Sequence, residues 1–308
     1  MHNDGVTVST FQFLKRFNNE DAARNYIEKL RWNGKPDCPQ CHSVERIQAR
    51  IRKGYYRCLI CVVDFTVRTG TVMERSHVPL DKWLYAMYLM ATARKGVSSL
   101  QLSKEVGVTQ KTAWFILQRL RESCGGPDDM PQLSGLVEVD ETFLGGKEMN
   151  KHANRKLKAG RGTVGKTAVL GLRERGGALR AQVITGTGKK IIHAKVRSSV
   201  AAGATLYTDE HSAYVGMGEF AHRSVNHSAK QFVDGMAHTN SVESVWAVLK
   251  RGYYGVYHSF SEKHMQRYLN EFTFRLNEGN CKNNTMDRIE SLVLKTVRHR
   301  LTYRRLVD

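Results

Sequence analysis

The chain has 308 residues, 41% of them hydrophobic, which supplies a core for one large or two to three small domains and excludes a disordered chain. Its 48 Lys and Arg against 29 Asp and Glu leave a formal charge of +19 and a pI near 9.8, a balance that attracts polyanions such as DNA or RNA, although charge alone does not choose nucleic acid over anionic lipid. The longest apolar run, Trp83 to Ala91, falls well short of the roughly 20 residues a membrane span requires. The start MHNDGVTVSTFQF lacks the basic-then-apolar pattern of a signal peptide, so a soluble, cytoplasmic and nucleoid-associated protein is expected.

In chain order, FLKRFNNEDAARNYIEKLRW predicts an N-terminal helical segment over residues 1–34, followed by a cysteine-bearing unit over 35–75. Cys38, Cys41, Cys58 and Cys61 form CPQC and CLIC, separated by 16 residues. Each CxxC turn presents two thiolates from one knuckle, and two knuckles close a tetrahedron around Zn2+. Two disulfides or a redox pair are the competing readings, and an intracellular chain disfavours both. A closed four-thiolate site has no open position, so this zinc would be structural, replacing a core that the short unit cannot build. Arg46, Arg50, Arg52, Lys53 and Arg57 form a basic surface beside the knuckles, and Cys124 and Cys281 read as free thiols.

Residues 76–123 read as three helices, DKWLYAMYLMATAR, SSLQLSKEVG and TQKTAWFILQRLRES. The last two fit a helix-turn-helix: Ser103 permits close packing, Gly107 takes the turn, and Thr109 caps a second helix with Trp114, Leu117 and Leu120 inward. Its first turn would present Gln110, Lys111 and Thr112 to a major groove, although a plain three-helix unit has the same periodicity. CGGPDDMPQLSG marks a linker over 124–134, after which short strands mixed with helices predict an α/β or α+β domain over 135–284, with a basic helical tail over 285–308. GRGTVGKT at Gly160 to Thr167 matches the phosphate-loop pattern, with Lys166 in the lysine place. That loop needs a buried strand before it and a helix after it. Here KHANRKLKA precedes, and TAVLGLRERGGALRAQVI reads as two strands joined at Gly176 and Gly177, so the segment is expected to be a basic hairpin loop that touches DNA.

Three carboxylates stand out in the last domain. In LVEVDET, Val137 and Val139 face one side of a strand and Glu138 and Asp140 the other, while YTDEHSAY places Asp209 at a strand end. HTNSVESVWAVLKRG, His238 to Gly252, is an amphipathic helix with Val242, Trp246 and Leu249 inward, Asn240 and Ser241 as candidate caps, and Glu243 and Lys250 two turns apart on a flank. Two strand acids and one helical acid can hold two Mg2+ or Mn2+ ions about 3.5–4 Å apart, one activating the attacking oxygen and one stabilising the leaving oxygen of a phosphodiester. Lys250 would then meet a phosphate. His211, His222, His227 and His238 lie near these acids in sequence and read either as supporting groups or as ordinary structural histidines.

The stretches CPQC with CLIC, FTVRTGTVME, VEVDETFLGGKE, GRGTVGKTAVLGLRER, YTDEHSAY, VNHSAKQFVDGMAHTNSVESVWAVLKRG and FTFRLN resemble the DDE-type insertion-sequence transposases that carry an N-terminal zinc ribbon and are related to Merlin elements. The resemblance runs from about Asp21 to Asn280. It implies a multidomain chain: a zinc ribbon, a helical helix-turn-helix domain, and a ribonuclease H-like catalytic domain with a mixed sheet flanked by helices. It further implies Asp140, Asp209 and Glu243 as Mg2+ ligands and Lys250 as a DNA contact. Some members have Asn in the third acidic place, which makes Asn240 a rival, but Glu243 stands at the right interval from Asp209 and Lys250. Glu141, next to Asp140, is expected to face away. The activity implied is binding of the element's terminal inverted repeats, Mg2+-dependent end cleavage and strand transfer into target DNA, by a homo-oligomer assembled on the DNA ends. A DNA-binding regulator with an inactive catalytic domain and a phosphate-loop ATPase are the rival readings.

Overall fold

A computed structural model of the chain describes residues 7–146, 151–157, 162–225, 239–278, 283–298 and 300–307. The chain divides into two compact units, one of Met1–Cys124 with Glu278–Asp308 and the other of Gly125–Asn277.

In the first unit α1 (Thr10–Arg16) and α2 (Glu20–Trp32) lead into a three-stranded antiparallel sheet of β1 (Ile47–Ala49), β2 (Tyr55–Cys58) and β3 (Val63–Thr66). Asn19 caps α2 by accepting from the Ala22 N–H at 2.9 Å, and Asn33 ends it in the left-handed conformation. The last turn of α2 packs against the small sheet. Trp32 meets Tyr56 and Phe65 edge-on, and Arg31 donates to the carbonyls of Val67 and Thr69 at 2.7 and 2.9 Å.

Cys38, Cys41, Cys58 and Cys61 lie at one end of this sheet with all four sulfurs within 4.8 Å of one another. The Cys41 and Cys58 sulfurs are 3.7 Å apart, too far for a disulfide and close to the separation of about 3.8 Å that tetrahedral zinc with bonds of about 2.3 Å imposes. The Gln40 and Cys61 N–H groups point at the sulfurs of Cys38 and Cys58 at 3.5 and 3.4 Å, and the second of these pulls the Cys58 thiol down to about 7. These residues fit a structural Zn2+.

Next come α3 (Leu80–Thr92), α4 (Ser99–Val106) and α5 (Gln110–Ser123). As expected, Gly107 takes the left-handed turn at φ 64° and Thr109 caps α5 by accepting from the Thr112 N–H at 3.1 Å. The buried stripe of α5 is Ala113, Ile116, Leu117 and Leu120; Trp114 is only half-buried, which corrects its expected inward place by one residue of helical phase.

The second unit is built on a five-stranded sheet of β4 (Leu136–Leu144), β5 (Thr167–Glu174), β6 (Leu179–Ile184), β7 (Thr205–Asp209) and β8 (Ala221–Val225), in the order β6-β5-β4-β7-β8. β6, β5 and β4 are antiparallel neighbours, and β7 and β8 run parallel to β4. This mixed sheet is consistent with the ribonuclease H-like fold expected. The glycines at Gly176 and Gly177 join β5 to β6, and Gly162–Lys166 runs through a turn into β5 rather than into a helix, so the phosphate-loop context is missing; Gly160 and Arg161 lie outside the described residues.

α6 (Lys189–Ser199) covers one face through Ile192 and Val196, against Val137, Val139, Leu170, Leu172 and Leu206. On the other face lie α7 (Asn240–Gly252), whose final turn passes into a π-helical stretch at Tyr253–Tyr257, and α8 (Glu262–Asn277). Val242, Trp246 and Leu249 of α7 are buried as expected, joined by Val245. Trp246 can lie flat on the strand only because residue 171 is glycine: a Cβ there would sit 2.4 Å from a ring carbon.

The N-terminus of α7 corrects the capping reading. Asn240 and Ser241 lie inside the first turn, and Thr239, at the cap position, makes no side-chain cap bond. The sheet caps the helix instead, through Glu138 of β4, whose Oε2 accepts from the N–H groups of Ser241 and Val242 at 2.9 and 3.0 Å and from Ser241 Oγ at 2.7 Å.

The chain then returns to the first unit with α9 (Thr285–Thr296) and α10 (Tyr303–Val307). α9 packs beside α2, α3 and α5, and Arg288 donates to the Ala91 carbonyl at 2.8 Å. No described helix is long and apolar enough to cross a membrane.

Two outcomes are expected. Gly171→Ala should destabilise the protein by about 1–3 kcal/mol, measured by denaturant unfolding, because Trp246 must leave its seat. Elemental analysis should find one zinc per chain, and Cys58→Ser should remove it.

Candidate active site

Asp140 and Glu138 share the α7 face of β4 by strand alternation. Asp140 lies within its strand rather than at its end: β4 continues to Leu144, but its pairing with β7 stops at Glu138↔Tyr207. The acid therefore sits where the two parallel strands part. Asp209 is the last residue of β7, and continuing the register by two positions brings it beside Asp140. Its Oδ1 accepts from the His211 N–H at 3.0 Å, which turns the chain away from the strand.

Glu243 lies in the first turn of α7 with its side chain exposed, and its Oε1 accepts from Thr239 Oγ1 at 3.1 Å. Asn240 is also exposed in that turn, and Lys250 is exposed two turns further along. Burial pushes the Asp140 carboxyl up to about 6; the Trp246 indole N–H, donating to Oδ2 at 2.8 Å, opposes this, and the negative charges of Asp209 and Glu243 add to it. The three acids thus share one electrostatic neighbourhood. Among the described residues, however, only the four cysteines bring three or more ligand atoms within 4.8 Å of one another. The three acids are not gathered that tightly.

Glu141 points to the opposite face of β4, as alternation predicts, yet it remains electrically close. Burial raises its carboxyl to about 7, the Tyr214 hydroxyl lowers it somewhat, and Asp209 and Asp140 raise it further. Its Oε1 and the Tyr214 hydroxyl are both buried. His222 Nε2 is 2.9 Å from Thr208 Oγ1, and burial lowers its pKa; His211 Nδ1 accepts from the Ala213 N–H at 3.3 Å. Both are engaged in local structure. His227 and His238 lie outside the described residues, as does Cys281.

The residues singled out for DNA fall as follows. Gln110 and Lys111 are exposed and Thr112 half-buried on the first turn of α5, with Gln110 Nε2 donating to Ser99 Oγ at 2.8 Å. Lys166 is half-buried just ahead of β5. Three participants escaped the sequence reading: Glu138, Arg175 and Gly171. For Glu138 a signal was present, since an acid between two core valines on a central strand needs a buried partner.

Residues 132–277 match the ISXO2-like transposase domain and residues 18–62 the transposase zinc-ribbon domain. The first of these spans the five-stranded sheet with Asp140 and Asp209 and the helix α7 with Glu243, and the second spans α2 together with the four cysteines. The chain is also 32% identical over 283 residues, 85% of its own length and 92% of the relative's, to an uncharacterized protein in transposable element ISH50 of Halobacterium salinarum. Taken with the cysteine cluster and the mixed sheet, these matches show that the chain belongs to the zinc-ribbon-bearing family of DDE-type insertion-sequence transposases.

Proposed function

We propose that this transposase binds the terminal inverted repeats of its element and carries out Mg2+-dependent end cleavage followed by strand transfer, with Asp140, Asp209 and Glu243 as the metal ligands. The observation that carries this reading is the placement of Asp140 on β4, Asp209 at the end of the neighbouring β7 and Glu243 in the first turn of α7, close enough for the charges of Asp209 and Glu243 to raise the Asp140 carboxyl. The carboxylates fit hard divalent cations, which bind oxygen donors. Such ions would supply an activated attacking oxygen and a stabilised leaving oxygen. Glu243 is preferred to Asn240 because its charge acts on Asp140, and a charged ligand holds Mg2+ better than an amide oxygen.

The protein's own groups set the geometry. Trp246 holds one oxygen of Asp140, and the His211 N–H holds one oxygen of Asp209, so both carboxylates are oriented by the fold. Lys250, exposed on α7 beyond Glu243, is proposed to take a phosphate of the bound strand. The helix pair α4–α5 is proposed as the sequence-reading unit, with Gln110, Lys111 and Thr112 at the base edges, and Lys166 as a further backbone contact. A homo-oligomer is proposed to assemble on the two ends.

Asp209→Asn should reduce metal-dependent end cleavage of a labelled repeat to background while leaving repeat binding intact; retained cleavage would remove Asp209 from the site. Lys250→Ala should weaken DNA binding and lessen the salt slope of log K by about 0.9, the loss of one phosphate contact. A pH dependence follows from Asp140, whose folded value of about 6 lies above its ordinary 3.8. The fold favours the neutral acid, so in metal-free protein this contribution to stability is complete below about pH 4 and is lost as pH rises through 6. Thermal melts of metal-free protein should show that loss between pH 4 and 6, and Asp140→Asn should reduce it, the part due to Glu141, raised to about 7, remaining.

A further inference from the structure

We infer that Glu138 and Arg175 form a buried clamp that sets the spacing of the three acids, acting as positioning residues for the site; this rests on the metal-site reading above. Arg175 follows the end of β5, and its Nε donates to Glu138 Oε1 at 2.8 Å. Glu138 is fully buried and Arg175 nearly so, at 0% and 14% side-chain exposure. The Arg175 guanidinium also lies 4.4 Å over the ring of Tyr207 on β7, and its backbone N–H donates to the Leu136 carbonyl at 2.9 Å. The other Glu138 oxygen takes the Ser241 and Val242 N–H groups and the Ser241 hydroxyl at the start of α7.

The clamp touches each acid-bearing element two residues before its acid: Glu138 before Asp140, Tyr207 before Asp209, and Ser241 before Glu243. On a strand, two residues is one full side-chain repeat, so Glu138 and Asp140 share a face, as do Tyr207 and Asp209. On α7, two residues lie within one turn, so the bonds that hold Ser241 also set the height and rotation at which Glu243 meets the cleft. A buried carboxylate is costly unless it is paired, and here a guanidinium and a helix N-terminus meet that need together. Arg173, directly across β5 from Glu138, adds a second positive charge. A hydrophobic residue at 138 would pack against α7 without fixing its register, whereas directional bonds from one carboxylate do both.

The test uses the full-length protein and Mn2+ alone, with binding measured by titration calorimetry. Glu138→Gln and Arg175→Gln should each weaken Mn2+ binding by about 10–100-fold, the usual effect of losing a group that orients metal ligands. Ser241→Ala, which removes one hydroxyl bond and leaves the buried pair intact, should weaken it less and covers the case in which the first two variants do not fold. Ile192→Val, a core trim on the opposite face of the sheet, controls for general destabilisation and should keep wild-type affinity. Wild-type Mn2+ affinity in the folded clamp variants, with Asp209→Asn defective, would overturn the clamp alone. Wild-type affinity in Asp209→Asn as well would overturn the metal site on which it rests. A loss in Ile192→Val equal to that in the clamp variants would reduce Glu138 and Arg175 to ordinary stabilising residues.

Discussion

A carboxylate on a central strand, shut off from water, must be met by donors, and in this protein that requirement organises the sheet domain. Glu138 is enclosed by Arg175 on one side and by the first N–H groups of α7 on the other. Because those N–H groups have no partner within their own helix, each side completes what the other lacks. The bond network joins β4 to α7 across the sheet, and stacking of Arg175 on Tyr207 brings in β7. Apolar packing by Val242, Trp246 and Leu249 holds α7 onto the sheet, with Trp246 seated over Gly171. Directional bonds to Glu138 fix the helix start as well.

The same helix shows how a glycine and a tryptophan act as one unit. Gly171 pairs with Asp140 across the β4–β5 ladder, and its missing side chain is the space the Trp246 ring fills. The indole N–H thereby reaches Asp140 at 2.8 Å. A contact made for packing also orients an acid of the proposed site and partly offsets the cost of burying it. Burial nonetheless dominates, and the Asp140 and Glu141 carboxyls both stand above their ordinary values, in surroundings that favour neutralisation by cations or protons.

The zinc ribbon solves a different problem by different means. Three short strands cannot enclose an apolar core, so four thiolates gathered at one end and the Trp32, Tyr56 and Phe65 cluster at the other share the work. The family match to residues 18–62 begins at the start of α2 rather than at the first cysteine, in keeping with the packing of that helix on the sheet.

Much of this was legible in the sequence because it depends on local periodicity and on residue chemistry at short spacing. The two CxxC knuckles, the Gly107 turn with its Thr109 cap, the alternation that places Glu138 and Asp140 together and Glu141 opposite, and the buried flank of α7 are all set within a dozen residues of chain. The capping of α7 was not legible: Asn240 and Ser241 are good caps by type, but the cap came from Glu138, 103 positions away from Ser241, and local pattern carries no record of a partner so distant. Nothing in the local pattern around Arg175 marks it for a buried pair with Glu138. The sequence by itself determined which faces are apolar, which residues can bind zinc and which acids are available. Only the tertiary structure decided which acids come into electrostatic reach of one another and that Glu138 is instead tied to Arg175 and α7, because that depends on strand register and helix docking, where a buried charge must find its partners.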